Sequence, residues 1–205
     1  MLLINRYKPV NTGEIFGQDK AISDLKKYIK SKKPVILLGK SGTGKTSSVY
    51  AIANELNYEV VESNSSNMRN KDGVINFLGV ASSQRSLFYE GKLILIDEIE
   101  GIAGNVDRGG LNAIIEIVKQ SSFPVVLTCN DNQSKNFSSL KKICNVVNFE
   151  PLSYSVLFDF LKDVSKRENL EIQEDLLKSL AIKSNGDARA ALLDLEFFRY
   201  KDFSD

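Results

Sequence analysis

Short apolar runs alternate with segments of helical periodicity through roughly the first 150 residues. The runs typical of buried strands lie at residues 35–38, 58–62, 93–96, 125–129 and 146–149. The apolar faces at helical spacing lie within residues 21–29, 46–56, 74–81 and 111–118. Strand and helix patterns that alternate in this way predict an α/β fold, a five-stranded parallel sheet with helices on both faces.

The pattern changes after Pro151. No strand pattern remains, and three helical segments follow at about 153–165, 173–184 and 187–200. Asn185 and Gly186 predict the end of the second helix, and Asp187 is a suitable N-cap for the third. We therefore predict an α/β domain over residues 1–151 and a small three-helix domain over residues 152–205. Before the first helix, Pro9 and Gly17 disfavour regular structure.

Residues 39–46 read Gly-Lys-Ser-Gly-Thr-Gly-Lys-Thr and fill every fixed position of the phosphate loop G-x-x-x-x-G-K-[ST]. A predicted strand precedes them and a predicted helix follows, which favours this interpretation over a plain glycine-rich turn. Backbone N–H groups and the helix N-terminus then face phosphate oxygens. Lys45 is expected to reach the β- and γ-phosphates, and Thr46 to ligate Mg²⁺. The predicted nucleotide-binding residues here are Gly39, Lys40, Ser41, Gly42, Thr43, Gly44, Lys45 and Thr46.

Two carboxylates, Asp97 and Glu98, follow the third apolar run. Ligands of open α/β sheets bind at the carboxyl ends of the strands, so this pair is expected to face the phosphate loop. Asp97 is then a magnesium partner, and Glu98 a base that polarises water toward the γ-phosphate. The alternative, a solvated turn, is disfavoured by the upstream loop. Asn130, after the fourth run, fits a γ-phosphate contact and a plain turn residue equally well.

Composition and charge restrict the kinds of partner that this protein can bind. The 205 residues are 42% hydrophobic and 26% charged, as in soluble globular proteins. A net charge of +1 provides no overall basic field, so any DNA contact requires a local patch. No apolar run approaches the roughly 20 residues of a membrane span, and no signal peptide is evident, which predicts an intracellular protein without a membrane partner. Cys129 and Cys144 are expected to be reduced core residues.

The chain resembles the AAA+ ATPases and, among them, the replication factor C clamp loaders. Besides the phosphate loop and the acid pair, the resemblance rests on Arg6-Tyr7-Lys8-Pro9, Gly17-Gln18, and residues 62–66, 95–98 and 186–189. Residues 86–88 and 104–110 resemble the archaeal type of large subunit. The resemblance covers nearly the whole chain. It implies an AAA+ fold with a helical lid, ATP and Mg²⁺, a cytoplasmic, nucleoid-associated location, and ATP-driven loading of a sliding clamp on primer–template DNA in replication.

The resemblance also implies roles for single residues. Asn130 becomes the γ-phosphate sensor and Arg189 the lid arginine that reaches back to the phosphates, so that Lys45, Glu98, Asn130 and Arg189 form the catalytic set. Asn64 resembles the residue that holds the catalytic glutamate away until DNA arrives. The residues implied in adenine contact are Arg6, Tyr7, Pro9, Gly17 and Gln18.

Two departures from the family pattern shape the expected partners. Ile143 stands where small subunits carry an arginine finger, so we expect the chain to receive a finger, to supply none, and to hydrolyse ATP slowly alone. Nothing in the sequence resembles the collar domain of large subunits. The implied partners are clamp-loader small subunits, the sliding clamp, primer–template DNA, and a collar on a continuation of the chain or on a separate polypeptide.

DNA contacts and rival functions stay open at this point. Arg69, Lys71 and Arg108 lie near predicted helix starts, where backbone phosphates could bind, although a solvated charged surface has equal weight. The first rival function is a branch-migration or recombination ATPase, which would assemble into hexamers and need no clamp. The second is a scaffold that binds ATP without splitting it. The intact Asp97–Glu98 pair argues against the scaffold.

Overall fold

A five-stranded sheet forms the centre of the protein in a computed structural model that describes residues 1–64, 89–101 and 110–199. Its strands are β1 Val35–Leu38, β2 Tyr58–Asn64, β3 Gly91–Asp97, β4 Val125–Cys129 and β5 Asn145–Asn148. They lie in the order β2-β3-β4-β1-β5, and all neighbouring pairs are parallel. The predicted parallel α/β sheet is confirmed.

The helices divide between the sheet and a lid that follows it. In the described ranges they are α1 Leu3–Arg6, α2 Asp19–Lys30, α3 Lys45–Glu55, α4 Gly110–Gln120, α5 Lys135–Leu140, α6 Tyr154–Arg167, α7 Glu174–Lys183 and α8 Ala188–Arg199. Short 3-10 helices cover Thr12–Glu14 and Ile99–Gly101. The helix expected within residues 74–81 lies outside the described residues.

Alternating side chains of the central strands build two separate cores. Ile36, Ile94 and Leu127 pack toward α4 and α5 on one face of the sheet. Leu37, Leu95 and Val126 pack toward α2 and α3 on the other face. Because both faces are covered, β1, β3 and β4 are apolar at nearly every position. This explains why they form continuous apolar runs in the sequence rather than alternating patterns.

Helices α6, α7 and α8 pack around a third apolar cluster. Its fully or largely buried members are Leu3, Leu157, Leu161, Val164, Leu177, Leu180, Ala181, Ala191, Leu192 and Leu195. The N-cap role of Asp187 is confirmed, since its Oδ1 accepts a hydrogen bond from the N–H of Ala190 at 2.8 Å. The division at residue 151 stays a prediction. Leu3 shows that α1, although it belongs to the predicted first domain, packs among the lid helices.

Several element boundaries differ from the sequence-based expectation. Strand β2 continues to Asn64 rather than ending at residue 62, because its backbone stays paired with β3 through Asp97. Strand β5 ends at Asn148, and Phe149 beyond it is buried and donates its N–H to the carbonyl of Leu38 at 2.7 Å. The extension of β2 was not predicted because Ser63 and Asn64 are polar. The prediction for β5 was one residue too long because Phe149 is apolar and buried, although it lies beyond the strand.

The sequence patterns did not predict the short helical elements. Helix α5 has Ser134 as its N-cap and buries Phe137 and Leu140, but it is too short to show a periodic pattern. Helix α1 and the 3-10 helix Thr12–Glu14 lie before and between the breakers Pro9 and Gly17, in a region expected to lack regular structure.

The buried face of α4 is turned slightly from its predicted orientation. Leu111, Ile114, Ile115 and Val118 were expected to point inward, whereas the buried apolar residues are Ala113, Ile114, Ile117 and Val118. Leu111 and Ile115 are half-buried and still pack against the same cluster.

Candidate functional site

The phosphate loop connects the end of β1 to the first residue of α3. Gly39 donates its N–H to the carbonyl of Cys129 at 3.1 Å, which fixes the loop to β4. A Cβ at Gly39 would lie 2.2 Å from the carbonyl oxygen of Phe149, so only glycine fits there. Gly44 has a positive φ of 96° and is the N-cap of α3. The loop therefore curls back over the N-terminus of a helix, an arrangement that suits an anionic ligand.

Lys45 begins α3 and is 7% exposed. Its Nζ donates to the carbonyls of Gly39 (2.6 Å) and Lys40 (2.9 Å) and to Oδ1 of Asn130 (2.8 Å). Burial lowers the pKa of this ammonium, while the nearby Asp97 and Glu100 carboxylates act in the opposite direction. Lys45 and Asn130, which were each predicted as site residues, thus lie in direct contact although they are far apart in sequence.

Asp97 lies at the end of β3 within reach of two hydroxyl groups. Thr46 Oγ1 lies 3.3 Å from Asp97 Oδ1, and Thr128 Oγ1 donates a short hydrogen bond to the same oxygen. Thr128 Oγ1 also accepts the backbone N–H of Glu98 at 2.9 Å. A hydroxyl and a carboxylate are the hard oxygen ligands that Mg²⁺ prefers. Thr46 and Asp97 therefore fit a magnesium ion.

Glu98 has a left-handed backbone, with φ at 56°. For a residue other than glycine this conformation costs on the order of 1–3 kcal/mol and is found preferentially at functional sites. The side chain is exposed, and Oε2 of Glu98 accepts a hydrogen bond from Nδ2 of Asn64 at 3.2 Å. Asn64 reaches Glu98 because the register of β2 and β3 places it opposite Asp97.

Thr128 and Glu100 were not among the predicted site residues. Oε1 of Glu100 accepts the backbone N–H of Asn130 at 3.1 Å, and its other carboxylate oxygen is buried without a hydrogen-bond partner. Sequence offered a weak signal for each. Thr128 is a polar residue inside the apolar run of β4, and Glu100 lies two residues beyond Glu98.

The last helix of the lid lies against the phosphate loop. The N–H of Ala188 donates to the carbonyl of Gly42 at 3.1 Å, and Nη1 of Arg189 lies 3.5 Å from Oγ of Ser41. Gly42 has a φ of 71°, and a Cβ there would lie 1.7 Å from Oδ1 of Asp187. The absence of a side chain at Gly42 thus allows the start of α8 to reach the loop and brings Arg189 to the site.

A cavity of about 420 Å³ connects these groups. The predicted catalytic and metal-binding residues that line it are Lys45, Thr46, Asp97, Glu98, Asn130 and Arg189. Ser41, Gly42, Thr43 and Gly44 form its loop side, and Tyr7 and Pro9 lie on a more apolar wall. Gly39 and Lys40 instead line a neighbouring cavity, which Asn130 also borders. The structure thus gathers most of the predicted site in one space.

Three predicted adenine contacts do not line the cavity. Nη1 of Arg6 donates to Oε2 of Glu168 at 2.9 Å, away from the loop. Nε2 of Gln18 is bonded to the carbonyls of Thr43 (3.2 Å) and Glu150 (2.7 Å). Gly17 lies next to Leu152 and Val156. Ile15, Phe16 and Phe160 line the apolar wall and were missed, and the rings of Phe16 and Phe160 are 5.5 Å apart.

The remaining predictions fall away from the cavity or outside the described residues. Arg69, Lys71 and Arg108, the candidate DNA contacts, lie outside the described residues, as do 86–88 and most of 104–110. Ile143 is half-buried and packs against the core beside α5.

Cys129 and Cys144 are both free, and burial raises the pKa of the Cys129 thiol to about 11. None of the helices in the described ranges has the length and apolarity needed to cross a membrane.

Comparison with known families decides the class of this nucleotide site. Residues 35–146, more than half of the chain, match the family model described as the ATPase family associated with various cellular activities (AAA). The chain belongs to this AAA family. The helices of this AAA protein match a second model over residues 159–199, described as the RCF1/5-like AAA+ ATPase lid domain. The predicted AAA+ fold with a helical lid is confirmed.

Several similar curated proteins carry the same name. Replication factor C large subunits from Nanoarchaeum equitans and Methanococcus aeolicus are 41% and 37% identical over 200 and 199 residues. These matches cover 95% and 94% of this AAA protein but only 46% and 42% of the relatives. The chain therefore spans less than half the length of these relatives. The resemblance to the replication factor C family is confirmed.

Solved structures with the same architecture include the RuvB Holliday junction branch migration motor of Thermotoga maritima. It superimposes with a TM-score of 0.70 over 93% of this AAA protein and 64% of the RuvB chain, at 21% sequence identity. A variant of the same motor gives a TM-score of 0.71 over the same shares of the two chains, at 20% identity. At this identity the likeness establishes the fold alone.

Proposed function

We propose that this chain is the ATP-hydrolysing part of a sliding-clamp loader of the replication factor C large-subunit type. ATP binding would order the small subunits around primer–template DNA, and hydrolysis would release the closed clamp. The observation that carries the ATPase proposal is the convergence of Lys45, the Thr46–Asp97 pair and Glu98 in one cavity, because phosphoryl transfer needs those groups together. The name shared by the relatives supports the clamp-loader role.

Phosphate binding would use the loop backbone and Lys45. The carbonyls of Gly39 and Lys40 and Oδ1 of Asn130 hold the ammonium beside the loop. Oxygens of the β- and γ-phosphates would take over as acceptors. Their negative charge would also raise the lowered pKa of Lys45 toward its ordinary value, since an adjacent anion favours the charged form of an amine.

Magnesium would be held by the hydroxyl of Thr46 and by Asp97. The bound ion would neutralise part of the negative charge on the phosphate oxygens. Thr128 contributes by donating to Asp97 Oδ1, which restricts the rotation of the carboxylate. The same hydroxyl accepts the N–H of Glu98, so that one side chain holds the Asp97 carboxylate and the Glu98 backbone.

Hydrolysis would use Glu98 as the base. Glu98 would accept a proton from a water molecule as the water oxygen bonds to the γ-phosphorus. The bond between the γ-phosphorus and the bridging oxygen would break, leaving ADP and inorganic phosphate. Asn130 would orient the γ-phosphate or the water, and Arg189, on the lid side of the cavity, would stabilise the charge that develops on the transferred group.

Asn64 is proposed to regulate this base. Its amide donates to Glu98 at 3.2 Å, and that contact would keep the carboxylate away from the attacking water. DNA binding would release it, as the family resemblance implies. The roles of Arg69, Lys71 and Arg108 in binding DNA stay predictions, and so does the supply of an arginine finger by a neighbouring subunit.

ATP turnover by the chain mixed with candidate small subunits, sliding clamp and primed DNA tests the proposal. We expect Lys45→Ala to abolish nucleotide binding. Glu98→Gln should keep ATP affinity and lose about 10²–10⁴-fold in turnover, the usual contribution of a general base. Glu171→Gln, which alters an exposed lid carboxylate, is the matched control.

Three results would contradict the proposal. Retained hydrolysis in Glu98→Gln would remove Glu98 as the base. Turnover that ignores clamp and small subunits, together with self-assembly into hexamers, would favour a branch-migration ATPase instead. ATP binding without any turnover in the complete mixture would favour the scaffold.

A further inference from the structure

The N-terminal strap, residues 3–9, connects the lid core to the wall of the nucleotide cavity. At one end Leu3 is fully buried among the lid helices. At the other end Tyr7, Lys8 and Pro9 line the cavity. The strap therefore carries part of the binding wall although its own apolar anchor lies in the lid.

Glu168, the C-cap residue of α6, is the polar centre of this attachment. Its side chain is only 3% exposed. Oε2 accepts from Nη1 of Arg6 at 2.9 Å, and Oε1 accepts from the hydroxyl of Tyr7 at 2.8 Å. Nη2 of Arg199 lies 3.5 Å from Oε2. A buried carboxylate is costly unless it is paired, and here two of its partners come from the strap.

Helix α8 supplies a second polar attachment for the strap. Glu196 Oε2 accepts the backbone N–H of Leu3, and Nη1 of Arg199 donates to the carbonyl of Met1 at 3.0 Å. These contacts hold the start of the strap, about a helical turn away from Tyr7. Glu168 is thus the lid residue that binds the side chain of Tyr7, one of the strap residues that line the cavity.

Tyr7 is oriented by this carboxylate rather than by its neighbours in sequence. Tyr7 lines the cavity, and its hydroxyl donates to Oε1 of Glu168. Burial raises the pKa of the Tyr7 hydroxyl, and the hydrogen bond to Glu168 raises it further, so the phenol remains a donor at neutral pH. With its hydroxyl bound, the Tyr7 side chain is restrained on the cavity wall that Phe16 and Phe160 also line.

We propose that Glu168 is a positioning residue for the base of the nucleotide. It fixes Tyr7 and the strap on the lid, so that the apolar wall is complete only when the lid lies against the phosphate loop. Triphosphate bound at the loop would place the flat, weakly polar base beside Tyr7, Phe16 and Phe160. Glu168 itself does not line the cavity. This inference rests on the proposed ATP-binding function.

The test compares ATP with tripolyphosphate, which has the phosphates but no base, by calorimetry on the full chain. We expect Glu168→Ala to bind ATP about tenfold more weakly, since hydrogen bonds to a charged group are lost. Its affinity for tripolyphosphate should stay within about twofold. Tyr7→Phe keeps the ring but removes its hydrogen bond to Glu168, and it should weaken ATP binding about threefold. Glu174→Gln, an exposed lid carboxylate with its own lysine partners, is the control and should change neither affinity.

Hydrogen exchange of the same variants provides a local readout. In the wild type, ATP should slow exchange at residues 3–9 and at the start of α3. In Glu168→Ala the protection of residues 3–9 should be lost while that of α3 remains. If Glu168→Ala does not fold, the calorimetry and hydrogen exchange of Tyr7→Phe test the positioning role instead.

The outcomes separate this inference from the proposed function. Unchanged ATP affinity in both variants, or equal weakening of ATP and tripolyphosphate, would overturn the positioning role. A wild-type chain that fails to bind ATP would overturn the proposed function itself. If Glu168→Ala and Tyr7→Phe bind ATP more weakly than the wild type and bind tripolyphosphate as tightly as it does, the inference is supported.

Discussion

Thr128 shows how one buried hydroxyl organises the acid pair. It is 1% exposed, donates to Asp97 and accepts the N–H of Glu98. We predict that Thr128→Val, which keeps the shape but not the hydrogen bonds, lowers the free energy of unfolding by about 1–3 kcal/mol, because a backbone donor is left unsatisfied. ATP turnover should fall at least tenfold as the Asp97 carboxylate and the Glu98 backbone lose their hydrogen-bonded positions. Urea denaturation and steady-state turnover measure the two effects.

Thr128→Ser is the matched control, because it keeps the hydroxyl and removes only a methyl group. It should retain most of the turnover of the wild type. A valine variant with the stability and turnover of the wild type would show that the hydroxyl does not orient the acids.

At the scale of single residues, sequence reveals a site residue when its signal is local. Lys45 and Thr46 occupy fixed positions of a contiguous motif, and Asp97 and Glu98 end an apolar run. Glu100 carries only a weak signal of this kind, its place two residues beyond Glu98, and Glu168 carries none. Their importance comes from contacts with Asn130 and with Tyr7, which depend on strand neighbours and lid packing that a linear pattern does not encode.

The contact between α8 and the phosphate loop depends on Gly42. We predict that Gly42→Ala weakens ATP binding at least tenfold, because the added Cβ would overlap the Asp187 carboxylate and the positive φ of 71° disfavours alanine. Arg189 would move away from Ser41 together with the helix. Calorimetric titration with ATP measures the loss.

Gly13→Ala is the glycine control for this variant. Its new Cβ would meet only Oδ1 of Asn11, at 3.2 Å, and its φ lies outside the left-handed region. It should bind ATP like the wild type. If Gly42→Ala also binds like the wild type, the approach of α8 to the loop does not contribute to nucleotide affinity.

Glu55 joins α3 to the 3-10 helix Thr12–Glu14 and to α2. It accepts from Nζ of Lys26 and from the N–H and hydroxyl of Thr12. The Lys26 bond, followed by the Thr12 bonds, lowers the pKa of Glu55 from 4.5 to about 2. A lowered pKa in the folded state means that the contribution to stability is complete above about pH 4.5. It is lost as the pH falls toward 2.

Glu55→Gln should therefore destabilise the fold mainly near neutral pH. We expect a loss of about 1–2 kcal/mol at pH 7, a value reduced for the solvent exposure of this partly exposed group. The difference from the wild type should shrink between pH 4.5 and pH 2. Urea midpoints across this range test it, with Glu171→Gln as an exposed control. A difference independent of pH would exclude the ionised carboxylate as its cause.

At the scale of elements, buried strands and long amphipathic helices were predictable and short elements were not. The central strands are covered on both faces, so most of their residues are apolar. Helix α5 makes less than two turns and depends on the Ser134 cap and two buried side chains. The end of β2 was missed because pairing with β3, rather than the polarity of Ser63 and Asn64, determines where the strand ends.

For the whole molecule, we predict slow ATP hydrolysis by the isolated chain. Ile143 packs against the core and cannot act as a cation in a neighbouring site. The chain's own site would require an arginine from a partner, which is worth roughly 10³–10⁵ in rate in related phosphoryl transfers. Adding finger-bearing small subunits should raise turnover by about that factor, as a coupled phosphate-release assay would show.

Ile143→Arg is the control for this prediction. It should leave the turnover of the isolated chain unchanged, because a finger acts on the neighbouring subunit's nucleotide. Rapid DNA-stimulated hydrolysis by the isolated wild type would contradict the dependence on partners.

The overall architecture followed from sequence, but the path of the N-terminal strap did not. The bond between Leu3 and Glu196 joins residues 193 positions apart. Periodicity and motif spacing describe neighbours along the chain and contain no information about such a contact. Only the packed lid reveals that α1 and α8 belong to the same core.

The burial of Leu3 has a consequence for synthesis on the ribosome. Leu3 leaves the ribosome about 190 residues before Leu192 and Leu195, which complete the cluster around it. The sheet can pair its strands before then, but the lid core closes only after Arg199 has emerged. We therefore expect residues 3–9 to stay accessible to proteases throughout elongation and to become protected late, in the slow step that closes the longest loop of the fold.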